Sequence, residues 1–258
     1  MKLLVCIKQV PDMESRFKPD SRGVWFNETD LAWRMNEYDE YAVEEAVKLR
    51  EQLGESCELT VLSIGPDRVV EAIKKALAMG ADKAVHIQDQ EVATKDPWQI
   101  ASIIAGHAKE QAYDIIFAGM QSQDRGSAQV GVLTAEQLGY SCTTTLVGFA
   151  FADGVITAKR ELEGGIKGVV KLKIPAVVTC QLGLNIPRYP TLPNIMKAKK
   201  KEISAIPVTE LLKEDSLTAT TSFRSPAKKG GGVVLEGDVG DLVEKVIAIL
   251  KDKTALLR

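Results

Sequence analysis

Short apolar runs alternate with amphipathic stretches along the first half of the chain, and this alternation predicts the fold. Four runs of mostly aliphatic residues are typical of strands buried on both faces: residues 3–7, 59–64, 84–87 and 114–118. Between these runs, apolar residues recur every three or four positions, which predicts helices. Because strands and helices alternate with short connections, we expect a doubly wound, mostly parallel α/β sheet of the Rossmann-like type.

Residues at the ends of the predicted helices support this order. Asn36 is a favourable N-cap for the first helix, and acidic residues follow it. Gly80 stands where a glycine commonly ends a helix, and Pro97 lies in the first turn of the helix predicted over 97–111. Residues 9–35, rich in turn formers, are expected to be irregular.

The second half of the chain has a different pattern. Residues 145–182 alternate between apolar and polar and contain two glycine turns, which predicts a β-hairpin extension followed by a core strand over 176–180. A proline-punctuated stretch follows, and residues 204–235 show little periodicity. An amphipathic helix with Leu242, Val246 and Leu250 on one face ends the chain. We therefore expect an α/β domain over 1–203 and a C-terminal arm over 204–258.

The fold predicts where a ligand would bind. Ligands in doubly wound sheets lie beyond the carboxyl ends of the strands, which here are followed by residues 8–13, 36–39, 64–67 and 119–134. Gly119, Gly126 and Gly131 would allow a ligand close to the backbone, and Ser127 precedes a predicted helix N-terminus. From the residues alone, either a phosphate site or a plain strand-to-helix loop explains this pattern.

Composition excludes several classes of protein. Lys and Arg number 33 against 35 Asp and Glu, which gives no support for binding nucleic acid. No apolar stretch is long enough to span a membrane, and the N-terminus is typical of a strand and not of a signal peptide, so we expect a cytoplasmic protein that is not embedded in a membrane. Four scattered cysteines and two isolated histidines predict neither a disulfide nor a metal site.

Catalytic motifs are also missing from the sequence. The dinucleotide fingerprint, the Walker phosphate loop and the nucleophile elbow do not occur, and no Ser/His/Asp or Cys/His set is available. A chain with nucleotide-site architecture and no catalytic residues is predicted to bind or to transfer electrons. We therefore expect no free-standing enzyme.

A second candidate site lies in the proline-punctuated stretch. Leu192 lies between Pro190 and Pro193, and the basic run 197–202 follows. An apolar anchor on a stiff loop beside concentrated positive charge is typical of a transient docking site. Without such an apolar anchor, a basic run is usually a solvated part of the surface.

Several long segments resemble one known family. They are LVCIKQVPD at the N-terminus, MNEYDEYAVEEAVKL at 35–49, QSQDRGSAQVGVLTA at 121–135, and NIPRYPTLPNIMKAKKK at 185–201. With these segments the chain resembles the beta subunits of the electron transfer flavoprotein family. The resemblance implies a sheet like that of the adenine nucleotide alpha hydrolases and a heterodimer whose alpha subunit holds most of the FAD. It also implies that the beta chain holds a structural AMP.

The resemblance further implies specific residues at each site. The AMP contacts would be Cys6, Asn36, Glu37, Tyr38, Asp39, Ile64, Asp124, Arg125, Gly126, Ser127, Ala128, Gln129, Val130, Gly131, Val132, Leu133, Thr134 and Ala135. Met13 and Tyr38 would lie against the partner's flavin, and Glu161 would contact the mobile flavin domain. The partner-recognition loop at 184–203 would dock through Leu192, Pro193, Ile195, Met196, Lys197, Lys199 and Lys200. The arm over 204–258 would dock on the alpha subunit.

Three functions are compatible with some or all of these features. The leading one is an electron carrier that takes electrons from acyl-CoA dehydrogenases and passes them to a membrane quinone oxidoreductase. The second is an electron-bifurcating flavoprotein, in which the beta chain binds a second FAD in place of AMP and oxidises NADH. LVCIKQVPD and AQVG resemble the bifurcating type, whereas the intact TLPNIMKAKKK segment and Met13 after VPD favour the carrier. The third, an adenine-nucleotide sensor, leaves the docking segment unexplained.

Overall fold

The computed structural model describes residues 1–29, 31–224, 226 and 230–255 of the chain. The chain divides into two compact units, Met1–Phe223 and Arg224–Arg258. The first unit contains the strands β1 (Lys2–Cys6), β2 (Gln9–Pro11), β3 (Trp33–Met35), β4 (Glu58–Gly65), β5 (Lys83–Gln88), β6 (Ile115–Gly119), β7 (Ser141–Ala152), β8 (Val155–Glu161), β9 (Lys167–Lys173), β10 (Ala176–Cys180) and β11 (Ile203–Pro207). Its helices are α1 (Glu37–Leu53), α2 (Val70–Met79), α3 (Pro97–Gln111), α4 (Val130–Leu138) and α5 (Leu192–Ala198).

One large sheet organises the first unit. Within the described residues it has nine strands in the order β11-β5-β4-β1-β6-β10-β7-β8-β9. Strands β11 to β7 in this order pair in parallel, and β8 and β9 add to the edge in antiparallel fashion. The chain leaves β1 toward β4 and later returns to β6 on its other side. This confirms the predicted doubly wound, mostly parallel α/β fold and places the topological switch point between β1 and β6.

Side chains of the central strands alternate between two apolar layers. Leu3 and Val5 of β1 belong to the layer that includes α1 and α2, with Val43 and Ile73 among its members. Leu4 points to the opposite layer, which includes residues of α3 and α4. Every central strand is therefore covered on both faces, as the continuous apolar runs in the sequence predict.

The predicted strands and helices lie close to those observed, with several additions. Strand β10 has the bounds predicted for the core strand, and both glycine turns of the second half are present, so that β7, β8 and β9 form a three-stranded meander where a hairpin was expected. Residues 9–35 were expected to be irregular, but β2 and β3 pair there. Strand β11 extends the parallel sheet beside β5 in a region of weak periodicity.

The start of α1 differs from the prediction in its chemistry. Asn36 occupies the N-cap position, but its side chain makes no capping hydrogen bond. It is buried and bonds to the loop after β6 instead. Helix α3, by contrast, has a side-chain cap, in which Asp96 accepts from the backbone N–H of Gln99 at 2.9 Å.

The second unit contains the final amphipathic helix, α6 (Val239–Lys253). Asp238 caps it by accepting from the backbone N–H of Asp241 at 3.1 Å. Val243, Ile247 and Leu250 are exposed on it. The compact first unit runs to Phe223, beyond the predicted division after residue 203, and residues 225, 227–229 and 256–258 of the predicted arm lie outside the described residues.

Two glycines on helices give opposite expectations for stability. A Cβ on Gly131 of α4 would lie 2.5 Å from Cγ2 of buried Thr179, so Gly131→Ala should destabilise the protein by roughly 1–3 kcal/mol through overpacking. A Cβ on Gly106 of α3 would make an ordinary 3.7 Å contact with Leu211, so Gly106→Ala should stabilise it by about 0.5–1 kcal/mol. Urea unfolding measures both, and equal effects would contradict this packing.

Candidate functional site

A cavity of about 170 Å³ opens at the carboxyl ends of β1, β4 and β6, beside the switch point. The structure brings together eleven of the residues predicted for nucleotide binding around it: Cys6, Asn36, Asp39, Ile64, Asp124, Arg125, Ser127, Ala128, Gln129, Val130 and Gly131. They come from four separate segments of the chain. The sheet topology therefore places the cavity where the sequence predicted a ligand site.

The carboxylate of Asp39 connects the two strands that flank the switch point. One oxygen accepts from the backbone N–H of Lys8 at 2.6 Å, and the other accepts from the backbone N–H of Gly119 at 3.1 Å. A Cβ on Gly119 would lie 2.2 Å from Oδ1 of Asp39, so this approach requires glycine. Burial raises the pKa of Asp39 to about 7 even though these hydrogen bonds favour the charged form.

The loop after β6 is held by the first residues of α1 and the residue before them. Asn36 donates from Nδ2 to the carbonyl of Gln121 at 2.9 Å and accepts from the N–H of Gln123 at 3.0 Å. The same two glutamines donate from their side chains to Tyr38 and Glu37, at 3.0 Å and 2.9 Å. Glu37 and Tyr38, predicted as nucleotide contacts, therefore hold the loop in place and do not line the cavity.

A partly buried ion pair lines the cavity. Nζ of Lys8 lies 2.7 Å from both carboxylate oxygens of Asp124 and 3.3 Å from the hydroxyl of Ser122. The Asp124 side chain is only 4% exposed. Burial lowers the pKa of Lys8, and the Asp124 carboxylate opposes that shift. The Asp124 carboxylate is therefore paired with a cation.

The amino end of α4 faces the cavity without a side-chain cap. Gln129 stands at the N-cap position and its side chain makes no capping hydrogen bond, and the first turn of the helix carries no acidic residue. The loop before it bends through left-handed residues, Gly126 at φ 62° and Ala128 at φ 54°. The unpaired N–H groups of a helix start, together with the helix dipole, favour an anion at such a position.

Two tryptophans and two arginines line the cavity in stacked pairs, and three of the four were not predicted from the sequence: Trp25, Trp33 and Arg68. The guanidinium of Arg68 lies 3.7 Å from the ring centroid of Trp33, and that of Arg125 lies 4.4 Å from the centroid of Trp25. Arg68 also pairs with Glu28 at 3.1 Å. Tryptophans within a turn-rich segment were the available signal, since a large aromatic residue in a loop needs a surface to cover.

The remaining predicted nucleotide contacts are not among the residues that line the cavity: Gly126, Val132, Leu133, Thr134 and Ala135. The Thr134 hydroxyl donates to the carbonyl of Val130 at 2.8 Å, and Ala135 is buried in the layer with α3, so both support α4. Met13, predicted to face a flavin, is exposed.

The predicted recognition segment is exposed but firmly anchored. Leu192 is 78% exposed, and it begins the short helix α5, capped by Thr191, where a stiff loop was expected. Arg188 holds the preceding chain, because its guanidinium lies 2.8 Å from Glu44 and 2.6 Å from Glu51, both on α1. The other predicted docking residues are also exposed: Pro193, Ile195, Met196, Lys197, Lys199 and Lys200.

Glu161 lies at the exposed end of β8. Its carboxylate accepts from the side-chain amide of Gln181 at 3.3 Å, and its carbonyl accepts from the hydroxyl of Thr145 at 3.0 Å. Among the described residues, no group of His, Cys, Asp and Glu side chains is arranged to hold a metal ion. None of the described helices combines the length and apolar character needed to cross a membrane.

These features define an α/β protein of the Rossmann-like class with a cavity at its switch point. The family model of the electron transfer flavoprotein domain matches residues 23–211. The electron transfer flavoprotein subunit beta of Methylophilus methylotrophus is 33% identical over 260 residues, 98% of each chain. That of Bacillus subtilis is 32% identical over the full length of both, and that of Homo sapiens is 38% identical over 95% of this chain and 96% of its own. The chain belongs to the electron transfer flavoprotein family.

The buried carboxyl of Asp39 gives a prediction about pH. The unfolded chain would lose this proton near its ordinary pKa of 3.8, and the folded protein would hold it to about 7. The protonated Asp39 carboxyl therefore contributes fully to the stability of the folded protein below about pH 4, and this contribution is lost as the pH rises through about 7. Carboxyl ¹³C NMR should show one aspartate titrating near pH 7 and missing in Asp39→Asn. Titration of that signal below pH 5 would contradict the burial described.

Proposed function

We propose that this chain is the beta subunit of a heterodimeric electron transfer flavoprotein and that its cavity holds AMP as a structural nucleotide. The observation that carries the proposal is the uncapped start of α4, which faces a cavity at the sheet's switch point. An AMP phosphate would accept from the backbone N–H groups there. Membership of the family supports the wider assignment, because its beta subunits align with this chain over nearly its whole length.

The cavity also suits the adenine base. Its lining next to β4 and α3 is apolar, with Ile64, Val92, Pro97 and Ile100. A flat heterocycle removed from water gains free energy against such side chains. The residues present therefore fit an adenine nucleotide.

The redox group in this proposal is an FAD held mainly by the alpha subunit. Bound there, the flavin supplies the electron chemistry, while this chain covers one side of it and sets its surroundings. Met13 is exposed and available to that role, and Tyr38 is half-buried near the cavity. The arm over 204–258 would dock on the alpha subunit, which would cover the apolar residues that α6 exposes. Glu161 would contact the mobile flavin domain.

The exchange partners in this proposal are acyl-CoA dehydrogenases and a membrane quinone oxidoreductase, met in the cytoplasm. Leu192 would enter an apolar pocket of the dehydrogenase, with Met196 beside it and Lys197, Lys199 and Lys200 steering the approach. Arg188 holds this segment on α1, so that little entropy is lost when the partner binds. Small, preformed contact surfaces suit a carrier that must release each partner quickly.

The bound nucleotide decides between the carrier and a bifurcating flavoprotein. The purified heterodimer should release one FAD and one AMP on denaturation, and NADH should not reduce it. Chromatography of the extract against protein concentration measures the ratio. Two FAD per heterodimer together with reduction by NADH would contradict the carrier and favour the bifurcating type.

Removing the Leu192 side chain tests the docking segment. Leu192→Ala should weaken binding to the dehydrogenase by roughly 1–3 kcal/mol, because the anchor's apolar surface is no longer buried. Flavin content should not change. Val169→Ala is the matched control, since Val169 is also 63% exposed but lies on β9, outside both the segment and the arm. Stopped-flow transfer from the dehydrogenase measures both, and wild-type kinetics in Leu192→Ala would refute the anchor role.

A further inference from the structure

Four cations line the cavity, and their partners differ. Three of them lie within ion-pair distance of a carboxylate: Lys8 with Asp124 at 2.7 Å, Lys95 with Asp89 at 2.8 Å, and Arg68 with Glu28 at 3.1 Å. Arg125 is the fourth, and within the described residues it has no carboxylate at that distance. Its charge interacts with Asp124, but Lys8 already contacts both oxygens of that carboxylate. Arg125 therefore supplies an uncompensated positive charge to the cavity wall.

The guanidinium of Arg125 is held in a defined position. One nitrogen donates to the carbonyl of Ala93, and the guanidinium carbon lies over the Trp25 ring, 4.4 Å from the ring centroid. A guanidinium has five N–H donors, and the contact with Ala93 uses one of its nitrogens. Burial lowers the pKa of Arg125, because a buried cation loses hydration. An anion bound in the cavity would replace part of that lost hydration and favour the charged guanidinium.

The position of Arg125 in the chain also relates it to the start of α4. It lies on the loop that leads into that helix, five positions before Val130, and both residues line the same cavity. A phosphate near the start of α4 would accept hydrogen bonds from the backbone N–H groups of the helix. The guanidinium of Arg125, which lines the same cavity, would offer it further N–H donors. Arginine binds phosphate in this way through two parallel hydrogen bonds.

We propose that Arg125 binds the phosphate of the nucleotide and that it makes the cavity select nucleotides over nucleosides. Trp25 and the carbonyl of Ala93 are positioning groups, because they hold the guanidinium toward the cavity. The inference rests on the proposed adenine-nucleotide site and adds to it the residue that recognises the ligand's charge. An apolar pocket alone would take adenosine as readily as AMP.

The test compares AMP with adenosine on the heterodimer after its bound nucleotide has been removed. Calorimetric titration should give a dissociation constant for AMP that rises about tenfold or more in Arg125→Gln, since a charge-assisted pair is lost. The constant for adenosine should stay within about twofold. Arg22→Gln is the matched control, because Arg22 is an exposed arginine paired with Asp20 outside the cavity, and it should bind both ligands as the wild type does.

Two further variants separate recognition from folding. Arg125→Lys keeps the charge but loses the fork of N–H donors, so its affinity for AMP should fall between those of the wild type and Arg125→Gln. Trp25→Leu should weaken the binding of AMP and leave the affinity for adenosine unchanged. General damage to the cavity would weaken the binding of both ligands. Equal losses for AMP and adenosine in Arg125→Gln would overturn this inference while leaving the nucleotide site in place. Failure of the wild type to bind either ligand would overturn the proposed site itself.

Discussion

The cavity depends on one buried carboxylate. Asp39, in the first turn of α1, accepts hydrogen bonds from the chain leaving β1 and from the last residue of β6, the two strands that flank the switch point. Gly119 permits this contact because it has no Cβ. Desolvation raises the pKa of Asp39, so the arrangement costs free energy when the carboxyl is ionised. The hydrogen bonds offset part of that cost and fix the relative positions of the two loops.

Helix α1 connects this cavity to the docking segment. Its amino end holds the loop after β6, through Asn36 and Asp39. Further along, Glu44 is a buried acid that would be costly alone, and Arg188 pairs with it. The same helix therefore positions the loop that would hold a nucleotide and the segment that would meet a partner. A nucleotide bound near the amino end of α1 would hold the helix in place, and the helix would in turn fix the position of the segment that carries Leu192.

The sequence predicted the core of this structure well because its strands are buried on both faces. Continuous apolar runs such as that of β10 predict strands buried on both faces, and their alternation with helices predicts a mostly parallel sheet. The order of the strands within that sheet is not contained in the pattern. Strand β11 escaped prediction because it lies at the sheet edge, where only Ile203 and Ile206 are partly buried. Strands β2 and β3 are three residues each and are stabilised by tertiary contacts, which leave no periodic signal.

The site was predictable in its location and less so in its chemistry. Sheet topology indicated the loops, but the partners of each side chain depend on contacts between distant segments. Asn36 illustrates this: its residue type favours capping α1, and the loop after β6 uses its hydrogen bonds instead. The stacks of Trp25 on Arg125 and Trp33 on Arg68 join segments far apart in the chain. No local pattern contains such pairings.

The most direct test of a nucleotide in this cavity is photolabelling of the heterodimer with 8-azido-AMP, followed by mass spectrometric mapping of the labelled peptides. A nucleotide in this cavity should place label on the cavity wall, in the peptides that contain Ile64, Val92 or Ile100, and excess AMP should remove that label. Label confined to other surfaces, or label that AMP does not displace, would contradict it.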